Sequence, residues 1–294
     1  MLKFFALAVM LFSSGMSWAI TPYILAEKLK PAETVKVAEE VEAKLKAAGF
    51  QVLGRYLPHQ LPDFGVVVVS DESILNEIHT LGGSNIVGAG IRVGVKSDGT
   101  VTYMNPDYWY RAYFRGQFPK AEKTVGAVKE KLARALGAGL GFGGDETAED
   151  LPKYRYLVGM ERFDSEKNLL AQHVSFDEAV RSVQENLGKG LARTSKVYEV
   201  VMPEKKIAVF GVAMNDETLG DGRWIAKIGA QESIAALPYE LYVVNNSVYA
   251  LFGRYRIAVS FPNLSMGHFM RIHSTPNEIV EMLGAVAGAK TAKK

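Results

Sequence analysis

The strongest constraint on this chain is that it states one order of structural signals twice, over residues 20–137 and again over 151–290. Two copies of a unit of ordinary domain size point to paired domains rather than to one large enzyme. Identity between the copies is low, so the match rests on the order and spacing of elements.

Copy one opens with a short strand pattern over residues 22–29. Pro31 then leads into a helix over 34–48, with Val37, Val41, Leu45 and Ala48 at helical spacing and Gly49 placed to end it. Residues 50–57 and 64–69 read as strands, the second buried because of its valine run. A short helix over 73–81 and a glycine-rich turn to Gly90 follow. Residues 91–96 and 100–104 form a hairpin across Ser97-Asp98-Gly99, and Pro119 opens a last helix that runs to Leu136.

Copy two repeats this order. Residues 154–163 read as its first strand, and Ser175 with Glu178 forms a capping box for a helix that ends near Gly188. Strands are expected over 195–202 and 207–213, then a helix over 224–236. A hairpin over 239–244 and 248–251 turns on Asn245-Asn246-Ser247. Thr275 as cap, Pro276 and Glu278 open the last helix. Between the copies, residues 138–150 are glycine-rich and then acidic. The tract follows a helix rather than a strand, which argues against a dinucleotide loop, and its acids lack EF-hand spacing; a flexible linker is expected.

At the N-terminus, Lys3 precedes an apolar run over residues 4–12, and Ser17-Trp18-Ala19 supplies a small-residue cleavage pattern. Residues 1–19 therefore read as a signal peptide cleaved after Ala19, which gives a periplasmic or secreted protein with no integral membrane segment in the mature chain. Removing Lys3 leaves 33 Lys and Arg against 32 Asp and Glu, a formal charge of +1. That balance, with lysines interspersed among glutamates, argues against nucleic acid as a partner. The absence of cysteine removes disulfides, thiol catalysis and cysteine metal sites.

Gly49-Phe50-Gln51-Val52 closing the opening helix, the apolar strand over 66–69, and a hairpin running into Asn105-Pro106-Asp107-Tyr108 resemble the domain of unknown function 302 family. The resemblance covers most of copy one. Copy two departs from it, with Leu187-Gly188-Lys189-Gly190 and Phe252-Gly253-Arg254 in the corresponding places. It implies an α+β fold of two similar domains, each an antiparallel sheet with helices packed on one face. It brings no established activity and hence no catalytic residue.

The chemistry is therefore judged on the residues alone. No metalloprotease motif or P-loop is present, and Gly82-Gly83-Ser84-Asn85-Ile86 is not a nucleophile elbow. Aromatic residues recur at corresponding places in both copies. Tyr103, Tyr108, Trp109 and Tyr113, with Tyr249, Phe252 and Tyr255, are candidates to bind a small apolar or aromatic ligand or a protein partner; the same rings could instead close the core. Met266, His268, Met270 and His273 could hold copper or haem iron if the segment is extended, since alternate side chains would then share a face. Packing methionines and surface histidines are the other reading, and copy one has no ligands at the matching place.

Overall fold

The computed structural model describes residues 19–289. The signal-peptide reading falls on residues 1–19, all but the last of which lie outside the described residues. The first half runs β1 (Ala19–Ile20), β2 (Tyr23–Leu25), α1 (Thr34–Ala47), β3 (Gln51–Tyr56), β4 (Phe64–Ser70), α2 (Glu72–Leu81), β5 (Ile91–Lys96), β6 (Val101–Met104), α3 (Pro106–Phe114) and α4 (Phe118–Leu136). Two short strands follow, β7 (Gly141–Phe142) and β8 (Glu146–Thr147). The second half runs β9 (Leu169–Gln172), α5 (Phe176–Gly188), β10 (Thr194–Met202), β11 (Ile207–Met214), α6 (Asp221–Lys227), β12 (Tyr239–Val244), β13 (Ser247–Ala250), α7 (Gly253–Ser260), α8 (Met266–Met270) and α9 (Thr275–Ala287).

The fold is α+β, with antiparallel sheets. The larger sheets are ordered β3-β4-β5-β6-β2-β7 and β10-β11-β12-β13-β9, so the two halves share one strand order apart from the added β7. Even an irregularity recurs. The ladder slips between Val52 and Gly54 in β3 and between Lys196 and Tyr198 in β10, which makes Leu53 and Val197 bulge residues at corresponding places.

Local chemistry explains most boundaries. The apolar stripe of α1, with Val37, Val41 and Leu45 buried, ends where Gly49 turns to φ +82°. There the Gly49 N–H donates to Lys46 and the Phe50 N–H to Leu45, a closing pattern that satisfies the last carbonyls of the helix. At α5 the Ser175 hydroxyl accepts the Glu178 N–H, but the Glu178 carboxylate accepts from Val174 rather than from Ser175.

Four expectations differ from the structure. Residues 106–114 are a separate helix, capped by Asn105 and begun by Pro106, where the sequence suggested only a turn. Residues 154–163 form turns instead of a strand. Their rings pack edge-on to the second half's helices, as Tyr154 does on Tyr255, and β9 takes the sheet edge. The expected helix over 224–236 breaks at Gly229 (φ +66°) into α6 and a 3-10 turn, Gln231–Ala236. Ser274, not Thr275, precedes α9, and its side chain makes no capping bond.

The segment between the halves is bound along part of its length. Gly141–Phe142 adds a strand beside β2, and Glu146–Thr147 pairs with β1. The halves also share their interior. On β5, Val95 lies on the side covered by α1, whereas Arg92, Gly94 and Lys96 face the other half. Gly94 meets Ile234, and Lys96 pairs with Glu232 at 3.0 Å. Reciprocally, the first half's 3-10 turn Gly83–Ala89 packs on β11 and β12. Each half thus lays a turn across the other's sheet, and the buried side chains of both form one continuous core.

Candidate functional site

Where the two sheets face each other, three charged side chains are buried together. Arg92 and Glu240 are each the second residue of corresponding strands, β5 and β12. Arg92 Nη1 lies 2.6 Å from Glu240 Oε1, and Arg256 Nε lies 3.0 Å from Glu240 Oε2. Two further donors reach backbone: Arg92 Nε donates to the Ala235 carbonyl at 2.9 Å, and Arg256 Nη2 to the Ala236 carbonyl at 2.7 Å, whereas Arg92 Nη2 is buried without a hydrogen-bond partner among the described residues. Both guanidinium groups lie against the Trp109 ring, at 4.5 and 5.1 Å. Arg256 also donates to the Ser260 hydroxyl. Two cations share one carboxylate out of reach of water. The cluster crosses the halves and holds them in register.

A second buried group joins the halves at the start of α6. Asp221 Oδ2 accepts from the Tyr56 hydroxyl of β3 at 3.0 Å and from the Met214 N–H at 2.9 Å. Burial pushes this carboxyl up to about 7, against the opposing pull of its hydrogen bonds and of Arg256. By contrast, Glu161 is held down at about 2. Burial alone would raise it, but hydrogen bonds from Arg254 and Lys167 outweigh that.

Separate from these buried groups, an open cleft lies between the halves. A cavity of about 240 Å³ lies between the first half's Ser84 and Arg115 and the second half's Tyr242, Val244 and Tyr249, with Phe163 and Asn168 completing its wall. Tyr242 and Tyr249 are cross-strand neighbours on β12 and β13, and their rings stack 5.3 Å apart at 15°. Tyr242 is buried and Tyr249 half-buried, so the stack presents one ring to the cleft. Arg115 is fixed by its own bonds to the Tyr113 carbonyl (2.7 Å) and the Ser84 hydroxyl (3.2 Å), with its guanidinium 3.8 Å from the Phe163 ring centre. Two depressions elsewhere are larger, about 660 Å³ beside the Asn245-Asn246 turn and about 460 Å³ beside Asp71. They carry no aromatic pair, and Asp71 in the second is already paired with Lys131 at 2.7 Å.

Of the aromatic candidates, Tyr249 reaches this cleft. Tyr103, Tyr108, Trp109, Tyr113, Phe252 and Tyr255 are buried in packing roles. Tyr108 donates across the halves to the Val259 carbonyl at 2.8 Å, Trp109 to the Pro22 carbonyl at 2.9 Å, and Tyr103 to the Gly137 carbonyl at 3.0 Å. Tyr255 packs edge-on to Phe163, and Tyr113 behind it accepts from Arg92. The rings that recur in both copies are thus mainly interior packing, and Tyr108 among them reaches across the halves.

The Met and His candidates fall on a helix, not on an extended segment. Met266, His268 and Met270 therefore cannot share one face, because successive helical residues turn by about 100°. All three are exposed; His268 Nδ1 bonds the Ser265 hydroxyl, and His273 Nδ1 the Met270 carbonyl. Among the described residues no group of three or more His, Cys, Asp or Glu side chains is placed to hold a metal ion, and no helix is long and apolar enough to cross a membrane.

No family model, no curated protein and no solved structure matches the chain. Sequence reasoning passed over Arg92, Glu240, Arg256 and Arg115. A signal for the first two exists: each is a charge at the second position of a strand whose middle is uncharged, and overlaying the copies sets the opposite charges on each other.

Proposed function

We propose that this chain is an exported binding protein that takes a small aromatic ligand in the cleft between its two halves. The observation that carries the reading is the stacked pair Tyr242 and Tyr249, whose outer ring lines a cavity of about 240 Å³. A third ring, Phe163, and polar groups from Ser84 and Asn168 line the same space, the mixture of apolar wall and few polar groups that small-ligand sites use. The volume suits a ligand with a single ring. Export rests on the n-region, apolar run and small-residue pattern of residues 1–19.

The test is a titration of the purified protein with single-ring aromatics, phenol and benzamide among them, followed through the ring NMR signals of Tyr242 and Tyr249. Saturable shifts in the range of about 0.1–10 mM are expected for at least one compound, and Tyr249→Ala should remove them. Absence of any saturable shift at the two tyrosines refutes the reading. N-terminal sequencing of the protein from its host is expected to begin at Ile20; a chain beginning at Met1 refutes export by cleavage.

A further inference from the structure

We infer that the ligand of this cleft is an aromatic acid whose carboxylate is held by Arg115. The inference rests on the cleft being a ligand site and adds the chemical class of the occupant.

Arg115 differs from most of the other arginines drawn into the protein; Arg155, also half-buried, likewise has no paired carboxylate among the described residues but does not line the cleft. Arg92 and Arg256 share Glu240, Arg254 has Glu161, Arg111 has Asp107 and Arg55 has Glu42. Among the described residues no carboxylate lies within 4.0 Å of the Arg115 guanidinium; burial depresses its pKa, and the more distant Asp164 carboxylate at the cleft rim offsets that only in part. A partly desolvated cation without a counter-ion is costly unless something anionic reaches it. Its protein bonds, to the Tyr113 carbonyl and the Ser84 hydroxyl, use two of the five guanidinium N–H groups. The other three are left for a planar two-oxygen acceptor, the geometry a guanidinium fork matches best.

The backbone points the same way. Arg115 has φ +52° and ψ −130°, a conformation that costs a side-chain-bearing residue about 1–3 kcal/mol and that collects at ligand-holding positions. The residue that directly follows α7 is Phe261, with φ −136°, so the device belongs to one half only. Asp164, also on the cleft, is exposed at its rim. Its charge would repel a second anionic group, which favours a monoacid. With the carboxylate on Arg115, the ring of such a ligand has the Tyr249 face to pack on.

The test compares benzoate with benzamide, nearly the same shape without the charge, by NMR titration at pH 7 on the parent protein and on Arg115→Met, Arg115→Lys and Tyr249→Ala. Benzoate is expected to bind the parent at least about tenfold more tightly, the gain of one charge-assisted bond. Arg115→Met should abolish the preference for benzoate over benzamide. Arg115→Lys should keep part of the preference and serves if the Met variant does not fold. Tyr249→Ala should weaken both compounds. Benzamide binding as tightly as benzoate, or a benzoate preference that survives Arg115→Met, overturns the acid assignment while leaving the cleft reading intact. Failure of both compounds to shift the tyrosines overturns both.

Discussion

Replacing Glu240 by Gln tests whether the buried charges, rather than the surrounding rings, fasten the halves. The side chains of Arg92, Glu240 and Arg256 are 0%, 2% and 2% exposed, so water cannot take over what the carboxylate does. The substitution keeps shape but turns one of two acceptor oxygens into an NH2 donor facing an arginine N–H, and it leaves two guanidinium groups facing each other without an anion. Breaking a buried ion pair by removing one partner costs about 3–5 kcal/mol. Here two cations lose the same partner, which places the expectation at the upper end. Arg92→Met is the matched control. It leaves Glu240 paired one-to-one with Arg256 and takes a partner from the Ala235 carbonyl and the Tyr113 hydroxyl, for an expected loss of about 1–2 kcal/mol. Urea unfolding at pH 7 reads both. With a slope of about 3 kcal/mol/M, Glu240→Gln should lower the midpoint by roughly 1–1.7 M, and Arg92→Met by well under 1 M. The charge argument is refuted if Glu240→Gln lies within about 1 kcal/mol of the parent, or if Arg92→Met is equally damaging.

Asp221 should make stability fall as pH rises. A carboxyl that ionises near 3.8 when unfolded but near 7 when folded contributes fully below about pH 4 and loses that contribution as pH passes 7, a swing of roughly 4 kcal/mol. Asp221→Asn, which keeps an acceptor for the Met214 N–H, should therefore show a stability–pH curve that lacks this fall; parallel curves for parent and variant would sink the assignment. Gly54 should not tolerate a side chain. Its missing Cβ would sit on the Val197 carbonyl oxygen, a backbone atom that cannot rotate aside. Gly54→Ala is expected to cost about 1–3 kcal/mol, with a melting point lower by several degrees. Gly116→Ala, with open space around it, should be nearly neutral. Equal melting points for the two variants would contradict the close approach of β3 and β10.

Element order was legible because it is written locally, in the valine run of β4, the stripe of α1 and the Ser175 cap. The failures have equally local causes. Asn105-Pro106 serves as both a turn signal and a helix start, and nothing nearby says which; α3 depends on Tyr108, Trp109 and Tyr113 finding the other half. Residues 154–163 carry aromatics at alternating places, but those rings are taken up by α7 and α8, not by a ladder. The site was harder still. Ser84 and Arg115 meet Tyr242 and Tyr249 only after both halves have folded and crossed, so no window of sequence contains the cleft. Tyr249 was singled out through its aromatic character. Arg115 was not, because its distinction is the lack of a directly paired carboxylate, which only the folded chain reveals.

The opposed charges at matching places, Arg92 in one half and Glu240 in the other, also decide what each half may recognise. Two copies of the first half brought together in this arrangement would set guanidinium against guanidinium, and two of the second carboxylate against carboxylate. The duplicated unit has thereby been made orthogonal to itself: each half is a receptor for its sibling and a poor one for its twin. Residues 138–150 do not have to enforce that choice. They supply proximity, and the buried charges supply identity.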